Sequence, residues 1–294
     1  MTRQQLGTIL GLVLAFAGVS KPALAQAQAP SALQPSGDSS SAALAQQATN
    51  PFSSSWLMQT QQNNNWLEMP LGDGTRVQSS LQFQPLMSLA LTDEWGLYLR
   101  PVVTVVNSAP NLDQNGRRDR TNGFGDTVLG VAAARPLLGG RLVVGAGPTF
   151  VFPTASERQL GQDTWQVGPD VGATLLGKHF IAYAFLQQWF KAGGDGRKTD
   201  QMNGVFNFTY SFDNGWTVGT QPQLSVDWEA PEGERATFGV GPQVGKMCRC
   251  GGIPTLVQVG FHYYPVRPSV AGPKWNVQLQ LTPVIPALLK KKLF

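Results

Sequence analysis

Residues 142–152 read LVVGAGPTFVF, residues 153–164 PTASERQLGQDT, and residues 165–176 WQVGPDVGATLL. In the first arm Leu142, Val144, Ala146, Phe150 and Phe152 share one parity, and Gly145, Gly147 and Thr149 the other. In the second arm Trp165, Val167, Val171, Ala173 and Leu175 alternate with Gln166, Gly168, Asp170, Gly172 and Thr174. A period of two makes each arm a two-faced strand, and the polar segment between them a turn. Both arms exceed a typical globular strand and match the ~9–11 residues that a tilted membrane-spanning strand needs. Whether the chain repeats this hairpin decides the fold.

It does. Strand-like segments recur at 55–68, 75–91, 95–107, 123–138, 141–154, 164–177, 180–192, 202–213, 215–229, 236–248, 253–267 and 274–288. Their connections alternate in length. Thr92-Asp93-Glu94, Gly139-Gly140, Lys178-His179, Asn214-Gly215 and Cys250-Gly251-Gly252 are short, and Gly-Gly and Asn-Gly are strong hairpin signals. Between them lie the longer polar stretches 69–74, 108–122, 155–163, 193–201, 230–235 and 268–273. Short turns on one side and long loops on the other are the pattern of an outer-membrane barrel. The expected fold class is all-β, a transmembrane antiparallel up-and-down β-barrel of about 12 strands. The even count puts the N- and C-termini together on the short-turn, periplasmic side.

Composition agrees. The chain is 42% hydrophobic and only 14% charged, against roughly 25% charged in soluble domains. After the N-terminus it has no run of about eighteen apolar residues, which argues against helical spans. The net charge of +4 comes without a basic, aromatic-interleaved patch, so no nucleic-acid partner is expected. Arg3, the apolar run Leu6–Val19 and Ala23-Leu24-Ala25 form a secretory signal peptide, residues 1–25, cut near Ala25-Gln26. Residues 26–54, rich in Ala, Gln, Ser and Pro, read as a disordered periplasmic leader in which 41–47 can make a turn or two of helix. The barrel takes 55–294, and the expected location is the bacterial outer membrane, in contact with its lipid.

Parity assigns the faces. Outward residues include Leu81, Phe83, Phe206, Leu224, Leu279 and Leu281. The inward set gives lumen-lining candidates for selectivity: Arg100, Asp126, Gln166, Asp170, Gln221, Gln223, Asp227, Gln243, Gln258, His262, Gln278 and Gln280. Amides dominate it, and amides are satisfied by water or by one another, so a wet lumen is expected. All eight Trp sit near segment ends. Trp95, Trp165, Trp216, Trp228 and Trp275 are assigned to the aromatic girdle. Mid-segment prolines at 85, 101, 148, 169, 222, 242 and 283 break the pattern. They mark bulges or bends, or weaken the wall enough for an apolar solute to leave sideways.

The sequence offers little chemistry. Of the two histidines, His179 falls in a turn and His262 points inward, and no Ser–His pair can be placed beside it. Gly123-Phe124-Gly125, Gly145-Ala146-Gly147 and Gly239-Val240-Gly241 each lack the third glycine of a nucleotide-binding loop. Asp113-Gln114-Asn115-Gly116 lacks the closing Glu of a calcium loop. Cys248 and Cys250 would make a strained disulfide, and a metal site there would need two more ligands. No catalytic residue, metal or cofactor is assigned, and the chain is not expected to be an enzyme.

Several stretches carry a family likeness: Asn50-Pro51-Phe52, Gln61-Gln62-Asn63-Asn64, Gly123-Phe124-Gly125-Asp126, the block from Gly147 to Pro169, Gln187-Gln188-Trp189-Phe190, Asp213-Asn214-Gly215-Trp216, and the strand from Trp275 to Leu281. On these the chain resembles the MetA-pathway of phenol degradation family, outer-membrane barrels labelled transporters, over nearly all of 50–286. The resemblance implies a pore for aromatic or other small organic compounds and brings no catalytic residues. The terminal Phe294 resembles the signal read by the barrel-assembly machinery, an expected partner. Three functions are open: a passive uptake channel for small organic solutes, a plugged structural or adhesive barrel whose loops bind a ligand, and a membrane-embedded hydrolase acting through His262.

Overall fold

The computed structural model describes residues 40–69, 74–112 and 118–286. The signal peptide, residues 26–39 of the leader, the calcium-loop fragment and the tail with Phe294 lie outside the described residues. Among the described residues the elements begin with a helix, α1 (Ser41–Thr49), followed by fifteen strands. These are β1 (Trp56–Glu68), β2 (Thr75–Ala90), β3 (Gly96–Leu112), β4 (Arg118–Phe124), β5 (Thr127–Leu137), β6 (Leu142–Phe152), β7 (Trp165–Leu176) and β8 (Phe180–Gly193). Then come β9 (Asp200–Ser211), β10 (Trp216–Thr220), β11 (Gln223–Asp227), β12 (Ala236–Val240), β13 (Pro242–Cys250), β14 (Ile253–Val266) and β15 (Gly272–Ile285).

Three pairs of these, β4 with β5, β10 with β11 and β12 with β13, are each one wall strand interrupted by one or two residues. Every neighbour is antiparallel, and β1 pairs with both β2 and β15, from Trp56↔Ile285 through Gln61↔Gln280. The described residues therefore form a closed barrel of twelve strands. Closure leaves no open edge, so ladder donors and acceptors are satisfied within the sheet, as a hydrocarbon surrounding demands. At the short-turn end, positive-φ glycines let the chain reverse in two residues: Gly139 and Gly140 (φ 65° and 84°), and Gly251 and Gly252 (φ 58° and 84°).

The faces are inverted relative to a soluble protein. Along β15, Gln278 and Gln280 are 1% and 5% exposed, while Leu279 and Leu281 are 43% and 40% exposed. Amides fill the interior and aliphatic side chains cover the outside. Seven tryptophans have outward parity, and Trp95, Trp165 and Trp216 are exposed on that surface. Trp189 departs from the girdle pattern: it points inward, is buried, and donates through Nε1 to Thr149 Oγ1 at 3.1 Å. Phe206 and Leu224 also depart from simple lipid exposure. They have outward parity but are buried in a cluster with Val226 and Ala236, covered by Leu186, Trp228 and Phe238.

The prolines interrupt the ladder without shifting it. β2 and β3 pair at Phe83↔Val103 and again at Met87↔Leu99, in the same register, with Pro85 opposite Pro101 in the gap. Pro148 faces Pro169 across β6 and β7. Pro222 and Pro242 border the breaks that divide β10 from β11 and β12 from β13. At Gly168 and Gly241, each directly before a proline, an added Cβ would overlap a neighbouring strand's carbonyl, that of Gln188 and of Phe261. Gly-Pro thus lets adjacent backbones approach where a ladder bond is lost. These sites are bends rather than register-shifting bulges.

The leader is not wholly disordered, as the sequence suggested for 26–54: its described part, from Ser40, is folded into the barrel mouth. Ser40 Oγ accepts from the Ala43 N–H at 3.2 Å and caps α1. Ala45 and Ala48 pack on inward Leu57, Leu86, Met247, Leu256 and Val284 at the short-turn end. Gln46 Nε2 donates to the carbonyls of Gly177 and Lys178 in the β7–β8 turn, both at 3.1 Å. Asn50 Oδ1 then accepts the Phe52 N–H at 2.9 Å and turns the chain inward. Phe52 is fully enclosed, with ring centroids 5.1 Å from both Tyr98 and Phe185. A Cβ at Gly145 would stand 2.7 Å from the Phe52 ring, so that inward glycine is the seat of this anchor.

Phe52→Ala should empty this seat and weaken docking of residues 40–55 by about 3–5 kcal/mol. The expected readout is cleavage of the N-terminal segment by added protease on the folded barrel, with the strands left intact. Unchanged protection would place the anchor elsewhere.

Candidate functional site: a lumen with two kinds of wall

A cavity of about 550 Å³ runs through the lumen from Ala271 and Pro273 at the long-loop end to Ala48 of α1. The wall made by β14, β15, β1 and β2 is a lattice of carboxamides. Gln59 donates to Gln61, and Gln61 to Asn63, at 3.3 and 3.0 Å. Gln84 donates to Gln82 at 2.8 Å, and Asn276 to Asn65 at 2.9 Å. Behind the surface, Gln278 donates to Gln280, and Gln280 to Gln258 and Thr282, at 3.1–3.2 Å. The facing wall is mixed, with Thr104, Gln187, Asn203, Gln221 and Gln223 set among apolar groups. Val102, Val128, Phe185, Trp189 and Val205 line the same cavity there.

Charge crosses between the two walls. Arg100 Nη2 donates to Gln84 Oε1 at 2.5 Å. Asp170 is buried, accepts from Gln187 Nε2 at 2.9 Å through Oδ2, and its Oδ1 has no hydrogen-bond partner among the described residues. The Asp170 carboxylate lies over Gly130, whose Cα partner is Arg100. Gln221 Nε2 donates to the Tyr183 hydroxyl at 2.8 Å on the neighbouring side. The cation, the acid and their amide partners Gln84 and Gln187 thus belong to one level of the lumen.

The other sequence candidates divide by position. Gln221 and Gln223 line the cavity, whereas Gln258, Gln278 and Gln280 stand in the buried lattice behind it. Gln243 is buried, with Oε1 unpartnered among the described residues. Asp227 sits at the long-loop rim, where Arg197 Nη2 reaches its Oδ2 at 2.5 Å. His262 is fully buried. Its Nδ1 lies 3.3 Å from Asn276 Oδ1, and its Nε2 has no partner among the described residues, so the Ser–His pair of a hydrolase is not formed.

Asp126 holds a loop. Its Oδ1 accepts the Ala155 N–H at 3.2 Å and its Oδ2 the Gln162 N–H at 2.8 Å. Ser156 adds a reciprocal pair with Phe124: its N–H donates to the Phe124 carbonyl and its Oγ accepts the Phe124 N–H, both at 3.0 Å. Residues 155–162 are thereby folded over the lumen. Gln162 Nε2 reaches Gln201 Oε1 at 2.9 Å, and Gln166 Nε2 donates to Gln162 Oε1 at 3.2 Å. A second cavity of about 370 Å³ lies beneath, between Gln159, Leu160, Gln162, Gln166 and Trp189.

The amides of β1 and the inward Tyr183, Phe185, Gln187 and Trp189 were not singled out from sequence. β1 reads QTQQNNN, polar on both parities, and β8 reads FIAYAFLQQWF, apolar on both for most of its length. Neither shows which face is inward.

Asp126→Ala should leave two loop N–H groups unanswered, each charge-assisted bond being worth about 1.5–3 kcal/mol. The expected outcome is faster proteolysis at Arg158 and higher single-channel conductance. A loop equally protected in the variant would show that Asp126 does not hold it.

Comparison with known proteins places this geometry in context. The chain matches the family model described as "Putative MetA-pathway of phenol degradation" over residues 80–246, more than half of its 294 residues. No curated protein sequence matches it. Among solved structures it is similar to the COG4313 outer membrane channel from Pseudomonas putida F1, at 15% identity over 79% of this chain and 95% of that one, with a TM-score of 0.59. It is also similar to the NanC porin, at 11% identity over 76% and 98% of the two chains, TM-score 0.48. A third is the Pseudomonas putida toluene transporter TodX, at 10% identity over 88% and 95%, TM-score 0.41. The first of these shares the barrel fold. The match from β2 into β13, on a closed twelve-stranded barrel, shows that the chain belongs to the family described as the MetA-pathway of phenol degradation.

Proposed function

We propose that this chain is a passive outer-membrane channel for small organic solutes that carry both an apolar body and a hydrogen-bonding group, phenols being the type. The observation that carries this reading is a lumen with an amide lattice on one side and, on the other, aromatic and aliphatic groups set among polar ones. A ring lies against Phe185, Trp189 and Val205 while its hydroxyl meets the amides of Gln61, Gln82 and Asn276. Family membership supports the same solute class. Arg100 and Asp170, one charge of each sign at one level, set a field across the lumen that orients a dipolar solute. The long loops face outside and the short turns the periplasm. The chain is exported with its signal peptide cut near Ala25-Gln26, and it is inserted by the barrel-assembly machinery into outer-membrane lipid. It needs no cofactor and performs no catalysis.

A second reading is favoured by α1 and Phe52, which stand across the short-turn mouth: a plugged barrel whose long loops bind a ligand. Planar-bilayer recording separates the two. The channel reading expects ion conductance that added phenol interrupts in brief blocks and glucose at the same concentration does not. Gln61→Leu together with Gln82→Leu should shorten the blocks by about 2–10-fold, the worth of one ordinary hydrogen bond. No conductance and no solute flux from purified, folded protein would end the channel reading and leave the plugged one.

A further inference from the structure

The short-turn end carries two thiols that the lumen does not use. β13 ends in Lys246-Met247-Cys248-Arg249-Cys250, and Gly251-Gly252 turns it into β14. Met247 points inward and is buried beneath α1. Lys246, Cys248 and Cys250 therefore share the outward face. Lys246 Nζ lies 5.1 Å from the centre of the exposed Trp216 ring, so this pair stands at the level of the aromatic girdle. The cysteines lie two and four residues further toward the turn, about 7 and 13 Å along the strand, on the water side of that level. Cys250 is exposed. Cys248 is half-buried, with Sγ 3.3 Å from the Thr255 carbonyl oxygen, and both are free thiols.

The strand forbids the bond these two would otherwise form. Residues two apart on one strand face hold their Cβ atoms about 6.7 Å apart, whereas a disulfide brings them to about 3.5–4.5 Å. The ladder pairs Cys248↔Thr255 and Cys250↔Ile253 fix that spacing, so closing it would tear the end of the β13–β14 hairpin. A bridging atom relaxes the requirement. Two metal–sulfur bonds of about 2.3 Å in line separate the sulfurs by about 4.6 Å, against about 2.05 Å in a disulfide. Side chains leaning together from parallel Cβ positions reach that span.

We propose that Cys248 and Cys250 form a two-thiolate site for a soft closed-shell cation of the copper(I) class, on the outer face at the short-turn end. Among the described residues no group of three or more His, Cys, Asp or Glu gathers, so the four-ligand demand of zinc is unmet. Thiolates select soft cations, and two suffice for a linear copper(I) centre. Binding releases two protons to solvent, forms two copper–sulfur bonds, and changes no oxidation state. Two thiolates and one copper(I) leave one negative charge, which Lys246 on the same face offsets. The site stands on β13 geometry and is independent of what crosses the lumen.

The test is a titration of copper(I) into purified, folded, reduced full-length barrel under anaerobic conditions, in competition with a chromophoric copper(I) chelator. One equivalent per chain is expected. Cys248→Ser and Cys250→Ser should each weaken binding by more than the roughly 10–100-fold that outer-shell changes cost, while Met247→Leu should bind as the parent does. Three results would overturn the proposal: no binding by the parent, binding that survives either serine change, or untreated protein two mass units light with no titratable thiol. Conductance of the same preparations, recorded in parallel, reports on the channel reading separately.

Discussion

The pairing of β1 with β15 is the contact on which the rest depends. Every backbone N–H and C=O that faces hydrocarbon must find a partner in the sheet, and only closure removes the last open edge. Closure fixes the alternation of inside and outside on every strand. It also makes the interior of a twelve-stranded ring narrow enough for inward side chains to touch. This is why Gln278 is 1% exposed while the Leu beside it is 43% exposed. Proline would seem incompatible with such a ladder. The chain places prolines on neighbouring strands, Pro85 by Pro101 and Pro148 against Pro169, so that the donors they lack are gathered at the same height of the wall.

Filling the ring follows from the same narrowness. At the short-turn end the interior is apolar and takes α1 and Phe52. At mid-height it becomes an amide lattice on one side and a mixture of aromatic, aliphatic and polar groups on the other. At the long-loop end a segment tied to Asp126 leans over it. These layers follow one another along the barrel axis.

The fold was legible because β7 and β15 alternate cleanly and because turn lengths alternate around the ring. The lumen was legible only where that alternation held. Gln278 and Gln280 could be assigned inward from VQLQL, but β1 is polar on both faces and β8 nearly apolar on both, so parity could not separate Gln61 from Gln62 or Trp189 from the girdle. Asp126 was read as inward, yet its bonds to Ala155 and Gln162 depend on a loop path that no local pattern encodes. The leader's composition suggested disorder. Small alanines at 42, 45 and 48 are what fit a helix into a crowded mouth, and alanine carries little signal of burial.

The amide wall has one more property. A carboxamide turned by half a rotation exchanges its donor and its acceptor at almost the same point in space, and its neighbours in a chain such as Gln59–Gln61–Asn63 can turn with it. The wall can therefore answer a hydroxyl, an ether, a carbonyl or an amine without moving the backbone. In a channel, such a lining would sort solutes by cross-section and by possession of some polar group, and would be indifferent to which. Tolerance of many polar groups, rather than preference for one, is built into glutamine and asparagine themselves.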